Sequence, residues 1–246
     1  MHLAAQSAVR TSVEDPVLDA SINILGLLNV LRCCVRHGVR KVVFAASGGT
    51  LYGPDPRLPA WEPDRIGAVP ASPYGISKKV AEDYLRFFHR TYRVDFTALG
   101  LANVYGPRQS PHGEAGVVAV FGSRMLEGSG PVIFGDGSQT RDFVHVRDVA
   151  RAFLLAASEA GSGMVANIGT GTETSVNDLF DRMARLTGFE GAPEYGPARE
   201  GEVARSALDA SLAAAELGWT PLVDLDEGLS DTVAWLRTEA AARVAG

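Results

Sequence analysis

Strand-like and helix-like segments alternate along this chain of 246 residues, and no other feature of the sequence constrains its fold as strongly. Residues 41–46 are apolar and typical of a buried strand, and residues 95–103 are typical of another. Between them, Ser72 as N-cap and a proline at the first helical position predict a helix over residues 73–90. A further helix is predicted over residues 15–37. Strands separated by helices are joined by right-handed crossovers, so the sequence predicts an α/β fold with a parallel sheet.

The second half of the chain continues this alternation with shorter elements. The turn-rich stretch over residues 189–205 is predicted to be a loop. Helices and strands are predicted over residues 115–126, 131–134, 141–146, 147–158, 165–168 and 176–186, and from residue 226 onward. Because the ligands of open parallel sheets bind beyond the carboxyl ends of the strands, the chemistry is expected at that edge.

Charge and composition exclude several classes of protein. The net charge of −6 argues against a nucleic-acid-binding surface. No run of eighteen apolar residues and no N-terminal secretory pattern occurs, so we expect no membrane association and a cytoplasmic location. The two cysteines are adjacent, which disfavours a disulfide between them, and the scattered histidines offer no metal site.

Tyr74 and Lys78 are the strongest candidates for chemistry. At positions i and i+4 of the predicted helix they lie on one face. A nearby ammonium is expected to lower the high pKa of a tyrosine, which would let it take a proton from a hydroxyl group. Ser47, directly after the strand at 41–46, is expected at the same edge. The alternatives are a half-buried tyrosine beside a solvated lysine, and a serine that merely opens a glycine turn.

Motifs in a fixed order give the chain a resemblance to a known family. The chain resembles the extended short-chain dehydrogenase/reductases, and within them the NAD-dependent nucleotide-sugar epimerases and dehydratases. Besides Asn23, the matching segments are His2-Leu-Ala-Ala-Gln6, Ser12-Val-Glu-Asp-Pro16, Ser47-Gly-Gly-Thr-Leu-Tyr-Gly53, Ser72-Pro-Tyr-Gly-Ile-Ser-Lys78, Asn103-Val-Tyr-Gly-Pro-Arg108, the stretch from Gly135 to Val146, Asn167-Ile-Gly-Thr-Gly171, Arg199-Glu-Gly-Glu202 and Glu216-Leu-Gly-Trp219-Thr-Pro221.

The resemblance implies a role for each matching residue. Tyr74 would be the catalytic base and acid, Lys78 its electrostatic partner, and Ser47 a hydrogen-bonding partner of the reacting sugar oxygen. Cofactor-lining residues would be Ala4, Ala5, Gln6 and Asn23, together with Tyr74 and Lys78. Residues touching a nucleotide-diphosphate sugar would be Asn103, Val118, Val132, Phe134, Arg141, Arg199 and Glu202. The arginines suit the diphosphate because guanidinium binds phosphate oxygens in pairs.

Several of these residues have plainer interpretations. Arg141 could form a surface ion pair with Asp142, which would contribute little. Arg199 could simply solvate a loop, and Val132 and Phe134 could be ordinary core residues. The sequence Gly169-Thr170-Gly171 lacks the third glycine of a dinucleotide-binding loop, so a turn between a strand and a helix is the better interpretation.

The resemblance also implies a fold and a division into domains. The expected fold is a Rossmann-like doubly wound parallel sheet, truncated at its N-terminus, with a smaller α/β substrate-binding domain. Residues 1–103 and about 142–170 would form the cofactor-binding domain. Residues from about 104 to 141 and from 171 to 246 would bind the nucleotide sugar. A homodimer through the helices at 15–37 and 73–90 is the assembly that the family implies.

The Gly-rich turn that holds a dinucleotide pyrophosphate in this family has no counterpart in the sequence. We therefore expect roughly 60 family residues, about two βα units, to be missing, and the 246-residue chain by itself to hold no NAD. A start codon placed downstream, a fragment, and a genuine truncation would each explain this pattern.

The function expected from the resemblance is NAD-dependent 4-epimerisation of a nucleotide sugar. Dehydratases of the family carry an Asp-Glu pair where this chain has Gly48 and Gly49, which disfavours 4,6-dehydration, and a 4-reductase is excluded less strongly. The alternative from another class is a non-catalytic or partner-dependent fragment that binds sugar nucleotides.

Overall fold

The computed structural model describes residues 1–112, 116–198 and 203–244. In these residues the strands are β1 (Lys41–Ser47), β2 (Asp95–Leu101), β3 (Asn103–Tyr105), β4 (Val132–Phe134), β5 (Thr140–Arg141), β6 (Phe143–His145), β7 (Met164–Ile168), β8 (Thr174–Ser175) and β9 (Glu194–Gly196). The α-helices are α1 (Val9–Glu14), α2 (Pro16–Ala20), α3 (Gly26–Arg36), α4 (Pro73–Tyr92), α5 (Val117–Leu126), α6 (Val146–Ala156), α7 (Val176–Thr187), α8 (Ser211–Leu217) and α9 (Leu225–Val244).

A parallel sheet in the order β1-β2-β7 lies at the centre of the fold. Its register pairs Ser47 with Leu101 and Leu101 with Ile168, so the carboxyl ends of the three strands meet at one edge. His2 extends the sheet beyond β1, because its N–H donates to the carbonyl of Val43 and its carbonyl accepts from Ala45. The predicted parallel α/β arrangement is thus observed. Residues 2–5 are short, apolar and typical of a strand, but only His2 among them contributes a bridge.

Three short strand pairs complete the β-structure. The pairs β3-β6 and β4-β9 are parallel, and β5-β8 is antiparallel. Strand β9 was not predicted, because residues 189–205 were expected to be a loop. Its three residues carry no strand pattern of their own, and the pairing with Val132–Phe134 makes them a strand.

The helical stretch from α2 to α3 passes through a π-helical turn, Ser21–Leu25. The helical spacing of six apolar residues predicts one buried stripe along it: Leu18, Ile22, Leu25, Leu28, Leu31 and Val35. The structure exposes four of these six residues: Leu18, Ile22, Leu25 and Val35. The buried face instead carries Asp19, Asn23, Leu27, Leu31 and Cys34. By length and composition alone, Pro16–Arg36 could cross a membrane. This is weak evidence for a membrane span, because the same stretch buries two polar side chains, Asp19 and Asn23.

Helix α4 begins as predicted. The Ser72 hydroxyl accepts a hydrogen bond from the Gly75 N–H, and Pro73 occupies the first turn, where its missing N–H costs nothing. The helix buries Ala81, Leu85 and Phe88 against the central sheet, and these residues share a core cluster with Val42 and Phe96.

Three clusters of apolar side chains form the core. Two lie against the central sheet and include Leu27, Phe44 and Phe96 in one and Leu99, Ile168 and Trp219 in the other. The third joins α5, α7 and α9 through Phe121, Met183, Leu229 and their neighbours. The division into a cofactor-binding and a sugar-binding domain stays a prediction.

Candidate active site

Ser47 and Tyr74 meet at the carboxyl edge of the central sheet. Ser47 is the last residue of β1, and Tyr74 lies in the first turn of α4. The Ser47 hydroxyl lies close enough to the phenol oxygen of Tyr74 to lower the pKa of that phenol. Two residues that are 27 positions apart in the sequence thus form one pair of hydroxyl groups, as expected from their places after the strand and at the start of the helix.

The pKa of Tyr74 lies above its usual value. Burial of the half-buried side chain is the largest cause, the negative charge of Asp19 adds to it, and the Ser47 hydroxyl offsets part of it. The expectation that Lys78 would lower this pKa is therefore wrong for the protein without ligands. Loss of solvation disfavours the phenolate and sets the direction of the shift.

Lys78 is buried, with 4% of its surface exposed. Its Nζ donates to the carbonyl oxygen of Ala45 at 2.9 Å, lies 4.8 Å from the ring centroid of Phe44 and lies 5.7 Å from that of Tyr74. Burial lowers the pKa of Lys78 to about 8, and the carboxylate of Asp19 works against that fall. At neutral pH the side chain is therefore still a cation, placed one helical turn beyond the phenol.

Gly48 allows the chain to turn tightly after Ser47. A Cβ atom at this position would stand 2.2 Å from Leu208 Cδ1 and 2.9 Å from the carbonyl oxygen of Gly100. At Gly49 a Cβ would meet only Ser206 Oγ, at 3.5 Å, which is an ordinary contact. The first glycine is required by close packing against β2, whereas the second is not.

We therefore expect Gly48→Ala to destabilise the protein by about 1–3 kcal/mol, the usual cost of overpacking, and to displace Ser47 from Tyr74. Gly49→Ala is the matched control and should change the free energy of unfolding by less than about 0.5 kcal/mol. Urea unfolding of both variants measures the difference. Equal stability of the two would show that β2 can move away from the turn.

Four of the six residues expected to line the cofactor lie on the N-terminal segment and the π-helical turn. Ala4 is exposed, and Ala5 and Gln6 are half-buried. Asn23 is buried, and its amide is fully used: Oδ1 accepts from the Gln6 N–H at 2.9 Å, and Nδ2 donates to the Gln6 carbonyl and to Asp19. Asn23 therefore fixes Gln6 in place, and it has no free amide hydrogen for a ligand.

Two buried polar residues near the site, Asp19 and Asn167, had no role predicted from the sequence. Asp19 is fully buried and accepts hydrogen bonds from three side chains. Asn167, also fully buried, accepts from the Tyr52 hydroxyl at 2.7 Å and donates to the Ala60 carbonyl at 2.9 Å. The only sequence signal for Asp19 was its i, i+4 spacing from Asn23, which places both on one helix face.

The pairing of β3 with β6 places Asn103 beside Asp142, the residue that follows Arg141. The Asn103 N–H donates to the carbonyl of Asp142 at 2.9 Å, and the side chain of Asn103 is exposed. A surface ion pair between Arg141 and Asp142 is not what the structure shows, because Asp142 is fully buried. The guanidinium Nη1 of Arg141 donates to the carbonyl of Thr140 at 2.7 Å.

Asp142 also explains the turn at residues 169–171. Its carboxylate accepts from the N–H groups of Thr170 and Gly171 and from the Thr170 hydroxyl at 2.7–3.0 Å. The N–H groups that a phosphate would need are thus occupied by a carboxylate. The interpretation of this segment as a turn rather than a phosphate loop agrees with these contacts.

The remaining substrate-side residues differ in accessibility. Val132 and Phe134 on β4 are half-buried. Val118 is 1% exposed and packs inside the third core cluster, so its position is that of a core residue rather than of a ligand contact. Arg199 and Glu202 lie outside the described residues. Within the described residues, no group of three His, Cys, Asp or Glu side chains could hold a metal ion.

Comparison with known proteins places this geometry in a family. Residues 1–169 match the model of the NAD dependent epimerase/dehydratase family. The chain is 46% identical over 239 residues to the UDP-glucose 4-epimerase of Mycolicibacterium smegmatis, covering 97% of this chain and 76% of that protein.

Solved structures show the same relationship. The Thermotoga maritima UDP-glucose 4-epimerase with UDP-glucose superposes with a TM-score of 0.94 at 48% identity, covering 97% of this chain and 77% of that one. The Thermus thermophilus UDP-glucose 4-epimerase complex with NAD gives a TM-score of 0.88 at 41% identity, with 96% and 76% covered. These similarities confirm the predicted Rossmann-like α/β fold.

Proposed function

We propose, from the premise that this chain belongs to the NAD-dependent epimerase/dehydratase family, that it is a nucleotide-sugar 4-epimerase whose cofactor is NAD. The observation that carries the proposal is the Ser47–Tyr74 hydroxyl pair, with the buried ammonium of Lys78 one helical turn away. UDP-glucose is the first substrate to test, because two of the similar proteins act on it or hold it by name.

The residues present fit the nicotinamide-ribose end of the cofactor. An ammonium group has three donors, and in the described part of the chain Lys78 spends one of them, on Ala45. Two donors are left for the adjacent hydroxyl groups of a ribose. Gln6, whose backbone N–H and carbonyl are both bound by Asn23, lines the cofactor as the family resemblance implies.

The chemistry that NAD supplies when bound is reversible acceptance of a hydride at its nicotinamide ring. The chain's own residues handle the proton. Ser47 binds the reacting sugar hydroxyl beside the phenol of Tyr74, so a proton leaving the sugar oxygen has a short path to the phenol oxygen. The same proton returns to the sugar oxygen from Tyr74, and no net proton is released.

Lys78 makes this proton transfer feasible. Burial disfavours the phenolate of Tyr74, and a fixed positive charge in the same low-dielectric site compensates for it in the transition state. Within the described residues, the ammonium is held by a backbone carbonyl rather than by a carboxylate, so no direct ion pair cancels its charge there.

The turn after Ser47 favours epimerisation over dehydration. The family's dehydratases need two acidic side chains after the catalytic Ser or Thr, and Gly48 has no room even for a Cβ atom. No acidic side chain is therefore present at that position for acid–base chemistry at a second sugar carbon. A 4-reductase remains the second candidate, and its product distinguishes it.

The apolar helix face supports a homodimer as part of this proposal. Val17 is 74% exposed and Leu25 is 56% exposed, on the stretch that the family resemblance assigns to the dimer contact. Exposed apolar side chains on one face are typical of an interaction surface. We expect two copies to associate through Pro16–Arg36 and α4, in the cytoplasm, and sedimentation equilibrium measures that association.

The experiment that tests the function is incubation with NAD and a panel of UDP-, dTDP- and GDP-sugars, with separation of the 4-epimers. A 4-epimerase interconverts one pair without net change in NADH. A reductase consumes reduced nicotinamide stoichiometrically, and a dehydratase gives a product lighter by one water. Absence of any conversion, with both NAD and sugar nucleotide bound, would favour the non-catalytic alternative.

A further inference from the structure

Asp19 is a buried carboxylate beside the candidate site to which the proposed mechanism gives no role. It is 0% exposed, and both of its oxygens are used. Oδ1 accepts from Gln6 Nε2 at 2.8 Å and from Asn23 Nδ2 at 3.0 Å. Oδ2 accepts from the Ser77 hydroxyl at 2.5 Å.

These hydrogen bonds join three separate segments of the chain. Gln6 lies on the N-terminal segment, Asn23 lies on the π-helical turn, and Ser77 lies on α4 directly before Lys78. The carboxylate therefore fixes the first turns of α4, which carry Tyr74 and Lys78, against the wall of the expected nicotinamide site. A shift of about 1 Å between such groups is enough to slow a reaction strongly.

The charge of Asp19 has a second consequence. A buried carboxylate is costly unless it is paired, and in the part of the chain that the structure describes Asp19 has no salt bridge within 4 Å. Its negative charge favours the protonated forms of Lys78 and Tyr74. It therefore raises the pKa of Tyr74 further and limits the fall in the pKa of Lys78. His2 also faces Lys78, and the pKa of His2 is lowered by burial and by the ammonium.

We propose that Asp19 is a positioning residue of the reaction: its carboxylate ties Ser77 to Gln6 and Asn23, and its negative charge balances the buried ammonium of Lys78. The catalytic meaning of this role rests on the proposed function, whereas the contacts and the charge balance do not. The two roles can be separated by substitution.

Asp19→Asn removes the charge and keeps the shape. The amide oxygen can still accept from Gln6 and Asn23, and the amide nitrogen can donate to Ser77, whose hydroxyl then accepts. Ser77→Ala is the matched variant, because it removes one hydrogen bond and leaves the carboxylate charged. A purely structural role would give the two variants the same pKa of Lys78.

The effect of the Asp19 charge on Lys78 is tested by NMR titration of ¹³C-labelled lysine, which needs neither cofactor nor turnover. The chain has only three lysines, Lys41, Lys78 and Lys79, and Lys78→Met identifies the signal of Lys78. We expect the pKa of Lys78 to fall by roughly half a unit or more in Asp19→Asn and to stay unchanged in Ser77→Ala. An unchanged pKa in Asp19→Asn would overturn the charge balance.

The positioning is tested by the pH profile of epimerisation. In Asp19→Asn both limbs should move to lower pH, because losing a negative charge lowers the pKa of Tyr74 and of Lys78 together. Both variants should lose about tenfold in kcat with KM changed less than about twofold. Unchanged kcat in both would overturn the positioning role. Absence of epimerisation in the unmodified protein would count against the proposed function, and the lysine titration would still decide the charge balance.

Failure of Asp19→Asn to fold is informative as well. The single variant leaves the Lys78 ammonium buried without its balancing charge, so adding Lys78→Met should restore folding. If Asp19→Asn prevents folding both alone and together with Lys78→Met, the proposed charge balance is overturned.

Discussion

Tyr74→Phe is expected to lower the rate of epimerisation by at least about 100-fold, the lower end of what a positioned general base contributes. The substitution keeps the ring beside Lys78 and removes the phenol oxygen that lies beside the Ser47 hydroxyl. With that oxygen absent, a proton leaving the sugar hydroxyl has no acceptor next to Ser47. The rate is measured in a preparation active on UDP-glucose, and binding of the sugar nucleotide is measured by calorimetry.

Tyr84→Phe is the control for this substitution. It removes a phenol oxygen from the same helix, α4, at a half-buried position outside the site, and should leave the rate within about twofold. Near-normal turnover of Tyr74→Phe would show that the proton leaves by another route. A large loss of binding would instead make Tyr74 a substrate-binding residue.

Lys78→Met is expected to stabilise the protein at pH 7 while abolishing most of its activity. Burial lowers the pKa of Lys78 to about 8, against about 10.4 in an unfolded chain, and this difference corresponds to about 3 kcal/mol of stability lost by burying the cation. Losing the hydrogen bond to the Ala45 carbonyl costs about 1 kcal/mol. We therefore expect a net gain of about 2 kcal/mol in the free energy of unfolding.

The pH dependence of this gain gives its cause. Between pH 8 and about 10.4 the unfolded chain holds the Lys78 proton and the folded protein has lost it, so stability of the unmodified protein rises with pH. Below pH 8 the folded protein carries the full free-energy cost of burying the Lys78 cation. The advantage of Lys78→Met should thus be constant up to about pH 8 and shrink by about 1.4 kcal/mol per pH unit above it.

Urea unfolding at pH 7, 8, 9 and 9.5 measures the difference between the two proteins. Lys79→Met is the control, since it removes the neighbouring positive charge of a half-buried lysine that donates to the Arg65 carbonyl. An advantage of Lys78→Met that does not change with pH would mean that packing, and not the buried charge, sets the stability.

The sequence by itself determined the elements that carry the site. The apolar run of β1 predicted a buried strand, and Ser72 with Pro73 predicted where α4 begins, because both are local properties of backbone and side chain. The order of the family motifs then implied that Ser47, Tyr74 and Lys78 act together. The resemblance also implied the roles of Arg199 and Glu202, which stay predictions.

The tertiary structure decided what surrounds those residues. Which face of Pro16–Arg36 is buried depends on α4 and the N-terminal segment, and these partners bury Asp19 and Asn23 while leaving much of the apolar stripe exposed. The direction of the Tyr74 pKa depends on how much water the packed side chains exclude, and a spacing of four residues says nothing about that. Burial and electrostatic fields are sums over neighbours that are distant in sequence, so they are fixed only when the chain is folded.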